Sequence, residues 1–256
     1  MILFEDRIDA AEQLAKRIEE LLDNDVIKTR RELEQRKLQK SNDYDVVILA
    51  IPRGGVVIGD VLSSVLGAKL DILVSKKMGA PSNPELAIGA VMPDGSCFLN
   101  EDIVGMLKVP PSYINEQVNI QKKEIERRLQ IFRGEREENS SYYNDYNRIE
   151  GKIVIIVDDG IATGATMLSA ARWLKTKQNC CKMLIVAVPV APSSSPSVQS
   201  SSNEDVVSKL NRIADKVLIL YRPETFYSVG QFYKQFEQVS DAEVREIMRR
   251  HEHGPL

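Results

Sequence analysis

The chain has 256 residues, 43% of them hydrophobic, which suffices for the core of one large domain at the usual ~100–200 residues per domain. Its 34 Lys and Arg against 37 Asp and Glu give a net charge of −3, so no overall positive field draws it to nucleic acid, and such a partner is disfavoured. The cysteines Cys97, Cys180 and Cys181 lack metal-site spacing, and the only histidines, His251 and His253, fall in a polar tail where solvation is expected, which argues against a His-based triad or a His-rich metal centre. No run approaches the ~18 apolar residues of a membrane span, and Met1 to Asp6 lacks a basic segment ahead of a long apolar core. The expectation is a soluble, unsecreted, cytoplasmic protein with no membrane partner.

From Asp6 to Leu22, Ile8, Ala11, Leu14, Ala15, Ile18, Leu21 and Leu22 recur at helical spacing, predicting an amphipathic helix packed on the domain. The segment 23–45 mixes Lys28, Arg30, Arg31, Arg36, Lys37 and Lys40 with acids and reads as a solvated helical extension or insertion. Val46 to Ile51 is a buried strand ended by Pro52-Arg53-Gly54-Gly55, with a helix through Leu66 and a strand from Lys69 to Val74 after it. Ser75 to Pro84 is dense in Gly and Pro and predicts a mobile loop carrying Lys76 and Lys77. Leu86–Val91 and Cys97–Leu99, separated by Pro93-Asp94-Gly95, predict a hairpin. Pro110-Pro111 punctuates the chain before a long charged helix over 112–133, with Ile114, Val118, Ile125, Leu129 and Phe132 as its buried edge. Past a polar stretch come a strand at Val154–Val157, a helix from Thr166 to Thr176 and a strand from Met183 to Val188. A Ser/Pro-rich stretch (189–202), a helix from Glu204 to Ala214, a strand at 217–220 and a helix from Asp241 to Arg250 complete the chain. Alternating strands and helices predict an α/β fold, a doubly wound, mainly parallel sheet with helices on both faces. The whole chain reads as one domain, with residues 189–256 as a C-terminal hood.

The most informative stretch is Val154-Ile155-Ile156-Val157-Asp158-Asp159-Gly160-Ile161-Ala162-Thr163-Gly164-Ala165-Thr166. Four aliphatics suit a parallel strand covered on both faces, and this strand delivers two adjacent carboxylates to a loop of small residues that opens a helix. Backbone N–H groups and two hydroxyls can close there on an anion, most simply a phosphate, while neighbouring carboxylates suit a cis-diol. Asp residues also cap such βα junctions, but a bare cap needs neither the doubled Asp nor the hydroxyl–Gly–small–hydroxyl order.

This segment resembles the phosphoribosyl-diphosphate (PRPP) signature of type I phosphoribosyltransferases. The resemblance implies that Asp158 and Asp159 hold the ribose hydroxyls, that Ala162, Thr163, Gly164, Ala165 and Thr166 wrap the 5′-phosphate, and that Arg53, Gly54, Gly55 and Lys76 belong to the diphosphate site. It further implies that Lys76 and Lys77 precede a catalytic loop that closes over PRPP, the alternative being surface lysines. Mg²⁺ is the implied cofactor, bridging diphosphate and ribose and reached by Asp158 and Asp159 through water. The runs Lys77-Met78-Gly79-Ala80-Pro81 through Ala90 and Phe226 to Tyr233 are similar to an uncharacterised subgroup that also carries Pro-Arg-Gly-Gly, and a homodimer is implied. The acceptor, a nitrogen of a nucleobase or related heterocycle, would lie near Ile161 under a hood where Phe226, Tyr227, Phe232 and Tyr233 either supply a stacking wall or simply pack the C-terminal extension. Relatives acting on 6-oxopurines usually carry Asp where Ala162 stands, so that route is disfavoured; Glu85 is the nearest candidate for an adenine-type loop Glu, a surface role being the alternative. Two other readings keep the pocket: a PRPP-sensing regulator that binds nucleic acid, and a nucleotide or sugar-phosphate phosphohydrolase.

Overall fold

The computed structural model describes residues 2–34, 46–134, 146, 149–176, 181–193 and 205–252. Helix α1 (Arg7–Glu34) buries Ala10, Ala11, Leu14, Ala15 and Ile18, the stripe that its periodicity requires, although Ile8 in the first turn is half exposed. The charged segment begins as a continuation of this helix; its remainder, 35–45, lies outside the described residues. Strand β1 (Val46–Ala50) is buried at every position and feeds helix α2 (Gly54–Leu66), which Gly67 closes in the left-handed conformation at φ 61° before β2 (Lys69–Ile72).

The loop expected over 75–84 is instead a ribbon. Strands β3 (Lys76–Ala80) and β4 (Asn83–Val91) pair antiparallel, and β5 (Cys97–Leu99) adds to β4. Each strand satisfies the other's backbone, and Met78 and Ala80 are buried. Glycine and proline are accommodated because the register shifts at Gly79: Pro84 falls in the stretch that the pairing skips, and its backbone comes so near Gly79 that a Cβ would stand 2.5 Å from the Pro84 carbonyl. The β4–β5 turn at Pro93–Gly95 forms where the sequence predicts it, and the Trp173 indole N–H donates to the Asp94 carboxylate at 2.8 Å.

A short helix not evident in the sequence, α3 (Glu101–Met106), is capped by the Asn100 side chain accepting from the Ile103 N–H. Helix α4 (Pro111–Arg133) has proline in its first turn, where the missing N–H costs nothing, and buries Ile125, Leu129 and Phe132. Then follow β6 (Ile153–Val157), α5 (Ala165–Thr176), β7 (Met183–Val190), α6 (Val206–Asn211), β8 (Lys216–Tyr221) and α7 (Asp241–Glu252). Strand β7 continues through Pro189, two residues past its expected end. Its pairing to β6 stops at Ala187, so beyond that point β7 has β8 on one side only and tolerates a residue without an N–H.

The five parallel strands run in the order β2-β1-β6-β7-β8. Alternate residues divide between two cores. Ile48, Ala50, Ile155 and Val157 face α1, α2, α4 and α7, whereas Leu49, Val154 and Ile156 face Trp173 and Leu174 of α5 and Leu210 of α6. Helix α7 also overturns the expectation of a solvated His251: its Nε2 lies 2.7 Å from Asp60 Oδ1 on α2, and Arg250 pairs with the same carboxylate at 2.7 Å. His253 and Cys180 lie outside the described residues, while Cys97 is a free thiol. Among the described residues no helix is long and apolar enough to cross a membrane.

Candidate functional site

From β1 the chain moves outward to β2, then crosses to the other side of β1 and continues outward through β6, β7 and β8. Strand order therefore reverses between β1 and β6, the switch point at which open α/β sheets leave a crevice beyond the carboxyl ends of their strands. The turn Ile51–Gly55 leaves β1 there and the acidic pair leaves β6 beside it.

The two turns fit only because Gly54 and Gly55 have no side chains. A Cβ on Gly54 would overlap the Asp159 carboxylate, and one on Gly55 would stand 2.9 Å from the Asp158 Cα and the Val157 carbonyl. The Pro52–Arg53 peptide within this turn is cis. The Asp158 carboxylate accepts the Asp159 N–H at 2.8 Å. Arg7 donates from Nε to the Asp159 carboxylate at 2.8 Å with both side chains mostly buried, donates to the Glu237 carbonyl at 2.9 Å and lies over the Phe236 ring. Tyr233 donates its hydroxyl to the Asp159 carbonyl at 2.5 Å. Burial raises the pKa of Asp158 well above the usual carboxylate range, and the charge of Asp159 beside it adds to the effect. Burial raises Asp159 as well, with Arg7 opposing the shift by charge and hydrogen bond. Two carboxylates this close resist full ionisation of both, so the pair favours ligands that donate hydrogen bonds to it.

Beyond the pair, the bend is open. Ala162, Thr163 and Ala165 are exposed, and Gly164 adopts φ 71°, where a Cβ would collide with Val206. The N–H groups of Ala165, Thr166 and Met167, which open α5, have no intrahelical acceptor and take no other protein acceptor among the described residues. Donors at the positive end of a helix are suited to an anion.

Asp158, Thr166, Lys76, Lys77 and Pro52 line one cleft of about 680 Å³. The structure thus brings together the acidic pair's first member, the end of the small-residue bend and both lysines, the latter on β3 rather than on a loop. It does not bring in Arg53, Glu85, Ile161 or the aromatics of 226–233. Arg53 does not line the cleft and points to Asp241 at the start of α7, Nη1 to Oδ1 3.3 Å. Glu85 is exposed on β4 near the ribbon tip, outside the cleft lining. Ile161 is 2% exposed, its side chain in the core and its N–H donating to the Val190 carbonyl, so it does not face an acceptor. Phe226, Phe232 and Tyr233 pack inward, with the Phe226 and Phe232 rings 5.0 Å apart, as the packing reading has it, whereas Tyr227 is 88% exposed.

Sequence reasoning missed two contributions. Arg7 lies 152 residues from its partner, and nothing local in a first helical turn distinguishes it from a solvated arginine. Helix α4 forms a wall of the cleft with Tyr113, Gln117, Gln121 and Arg128, whose spacing of four, four and seven was the available signal, a polar stripe beside the apolar one. The Tyr113 hydroxyl donates to the Gly79 carbonyl at 3.0 Å and ties α4 to the ribbon.

A parallel sheet with an acidic pair and an open helix-initiating bend at its switch point defines an α/β protein of the type I phosphoribosyltransferase class. The chain belongs to the phosphoribosyl transferase domain family, whose model matches residues 17–217. Two Mycobacterium tuberculosis proteins, from strains CDC 1551 and H37Rv and provisionally named phosphoribosyl transferases, are each 34% identical to it over 250 residues, covering 98% of this chain and 47% of their own length. The chain therefore spans about half of each relative. The crystal structure of TT1426 from Thermus thermophilus is similar over 97% of this chain and 99% of that one, at 29% identity and a TM-score of 0.65.

Proposed function

We propose that this domain binds PRPP at the switch-point crevice and transfers its phosphoribosyl group to a ring nitrogen of a small heterocycle, releasing diphosphate. The observation that carries the reading is the Asp158–Asp159 pair standing between the open bend at α5 and a cleft lined by cations. The donors at the start of α5 with the hydroxyls of Thr163 and Thr166 suit the 5′-phosphate, and the acidic pair suits the two ribose hydroxyls. In the reaction the C1–O bond breaks and its electron pair leaves on diphosphate, the acceptor nitrogen forms the C1–N bond, and the nitrogen gives up its proton to water or base. Asp158 and Asp159 orient the ring and favour the positive charge that develops on it.

Among the described residues no group of three or more His, Cys, Asp or Glu could hold a metal ion. Such a cage is not needed for Mg²⁺, which keeps several waters and is carried largely on phosphate oxygens. The carboxylates at the crevice fit an ion of that kind through water, with Asp158 at the cleft and Asp159 behind it. When bound, it would offset charge on the diphosphate.

Ala162 is exposed and cannot exchange a proton with a base, which keeps 6-oxopurines the less favoured acceptors. The free thiol of Cys97 accords with a reducing, cytoplasmic setting, and the homodimer implied by the family resemblance belongs to the same reading. Purified protein incubated with PRPP, Mg²⁺ and a panel of nitrogen heterocycles should release diphosphate only when one particular heterocycle is added. Release at the same rate without any acceptor would mean hydrolysis and contradict transfer.

A further inference from the structure

We infer, building on the transfer reading above, that Arg128 of α4, together with Lys76 of β3, holds the diphosphate of PRPP in place of Arg53, with Glu124 as the resident counter-ion that the ligand displaces. A diphosphate bears several negative charges and needs cations that face it. Arg53, to which the family resemblance assigns that role, is directed at Asp241 and does not line the cleft, whereas Arg128, Lys76 and Lys77 do.

Arg128 and Lys76 reach the cleft from different elements and meet on one carboxylate. Glu124 accepts from Arg128 Nε at 3.0 Å and from Arg127 Nε at 2.7 Å, and lies 3.8 Å from Lys76 Nζ. One carboxylate thus faces three cations, and the local charge is positive. Arg128 gives Glu124 only its Nε–H, and its Nη groups donate to no protein acceptor among the described residues. A guanidinium with its fork uncommitted matches a pair of phosphate oxygens. Lys76 is too far from Glu124 for a hydrogen bond and keeps its own donors. Burial and the charge of Arg128 both lower the Lys76 pKa, with Glu124 only partly opposing them. An arriving polyanion relieves that repulsion. Gln117 and Gln121 line the same wall about two to three turns earlier on α4 with neutral donors and acceptors, so the positive charge is concentrated where α4 passes β3.

The test is calorimetric titration of wild type, Arg128→Gln, Arg53→Gln and Glu124→Gln with three probes: PRPP, inorganic diphosphate and ribose 5-phosphate, the first two in the presence of Mg²⁺. Arg128→Gln should weaken PRPP and inorganic diphosphate by about tenfold or more, the scale of a lost charge-assisted pair, and leave ribose 5-phosphate within about twofold. Arg53→Gln should cost less than Arg128→Gln, and Glu124→Gln should tighten inorganic diphosphate by removing its competitor. The assignment is overturned if Arg128→Gln binds PRPP and diphosphate like wild type, if it loses ribose 5-phosphate equally, if Arg53→Gln costs more, or if Glu124→Gln weakens diphosphate. Should wild type fail to take up ribose 5-phosphate, the parent reading itself is wrong; should it bind that sugar while the Arg128 result fails, only the present assignment is.

Discussion

Asp158 sits half-buried at the cleft next to another carboxylate, and its chemistry follows from that. Its raised pKa means that the folded protein holds the proton more tightly than the unfolded chain does. The stability this gives is complete below the ordinary carboxylate value and is lost as pH rises through the raised value, so the charged carboxylate is a net cost at neutral pH. Asp158→Asn should therefore raise stability at pH 7 and flatten the fall in stability that sets in as pH rises above the ordinary carboxylate range. Urea melts across that range would check it; a variant less stable than wild type at pH 7 would count against the strain assigned here. Arg7 acts in the opposite sense on Asp159. Removing it with Arg7→Met leaves a buried carboxylate without its partner, at an expected cost of about 3 kcal/mol at neutral pH. Because the pair exists only while Asp159 is ionised, that cost should shrink as the solution is acidified through the Asp159 titration, which the same melts would reveal.

At the level of elements, the site depends on how closely its turns approach. Gly164 combines a left-handed φ of 71° with a Cβ direction blocked by Val206, so the bend into α5 cannot accept a side chain without moving either the bend or α6. Gly164→Ala should cost about 2 kcal/mol in stability and weaken phosphate-bearing ligands further, measured by thermal melts and by titration with ribose 5-phosphate. Loss of stability alone, with ligand affinity retained, would show that the bend is structural and not part of the anion site. The β3–β4 ribbon is held differently: it is no part of the parallel sheet and leans on α4 through Tyr113 and Gly79. Its position decides where Lys76 and Lys77 stand, so the ribbon and α4 line the cleft together with the turns that leave β1 and β6.

For the whole molecule, the sheet and the phosphate-type bend were legible because both are written in local sequence. Val46–Ile51, Val154–Val157 and Met183–Val188 are continuous aliphatic runs that only a sheet covered on both faces can bury, and the doubled Asp before a small-residue bend has few other uses. What was not legible depends on distance in the chain or on pairing. Arg7 reaches Asp159, Arg53 turns to Asp241 and His251 meets Asp60 across 152, 188 and 191 positions, and no local pattern encodes such partners. The ribbon was missed because Gly79, Pro81 and Pro84 read as a loop unless the partner strand that absorbs them is known. The aromatics of 226–233 look alike in sequence, yet only packing separates buried Phe226 and Phe232 from exposed Tyr227.

The most direct measurement is titration of the protein with PRPP and Mg²⁺ by calorimetry, comparing wild type with Asp158→Asn combined with Asp159→Asn, the fold of each verified by circular dichroism. Binding by the wild type and a loss of at least about a hundredfold in the folded double variant is the predicted result, as two carboxylate–hydroxyl contacts are removed. Equal affinity in the two proteins would contradict the claim that this acidic pair grips the sugar.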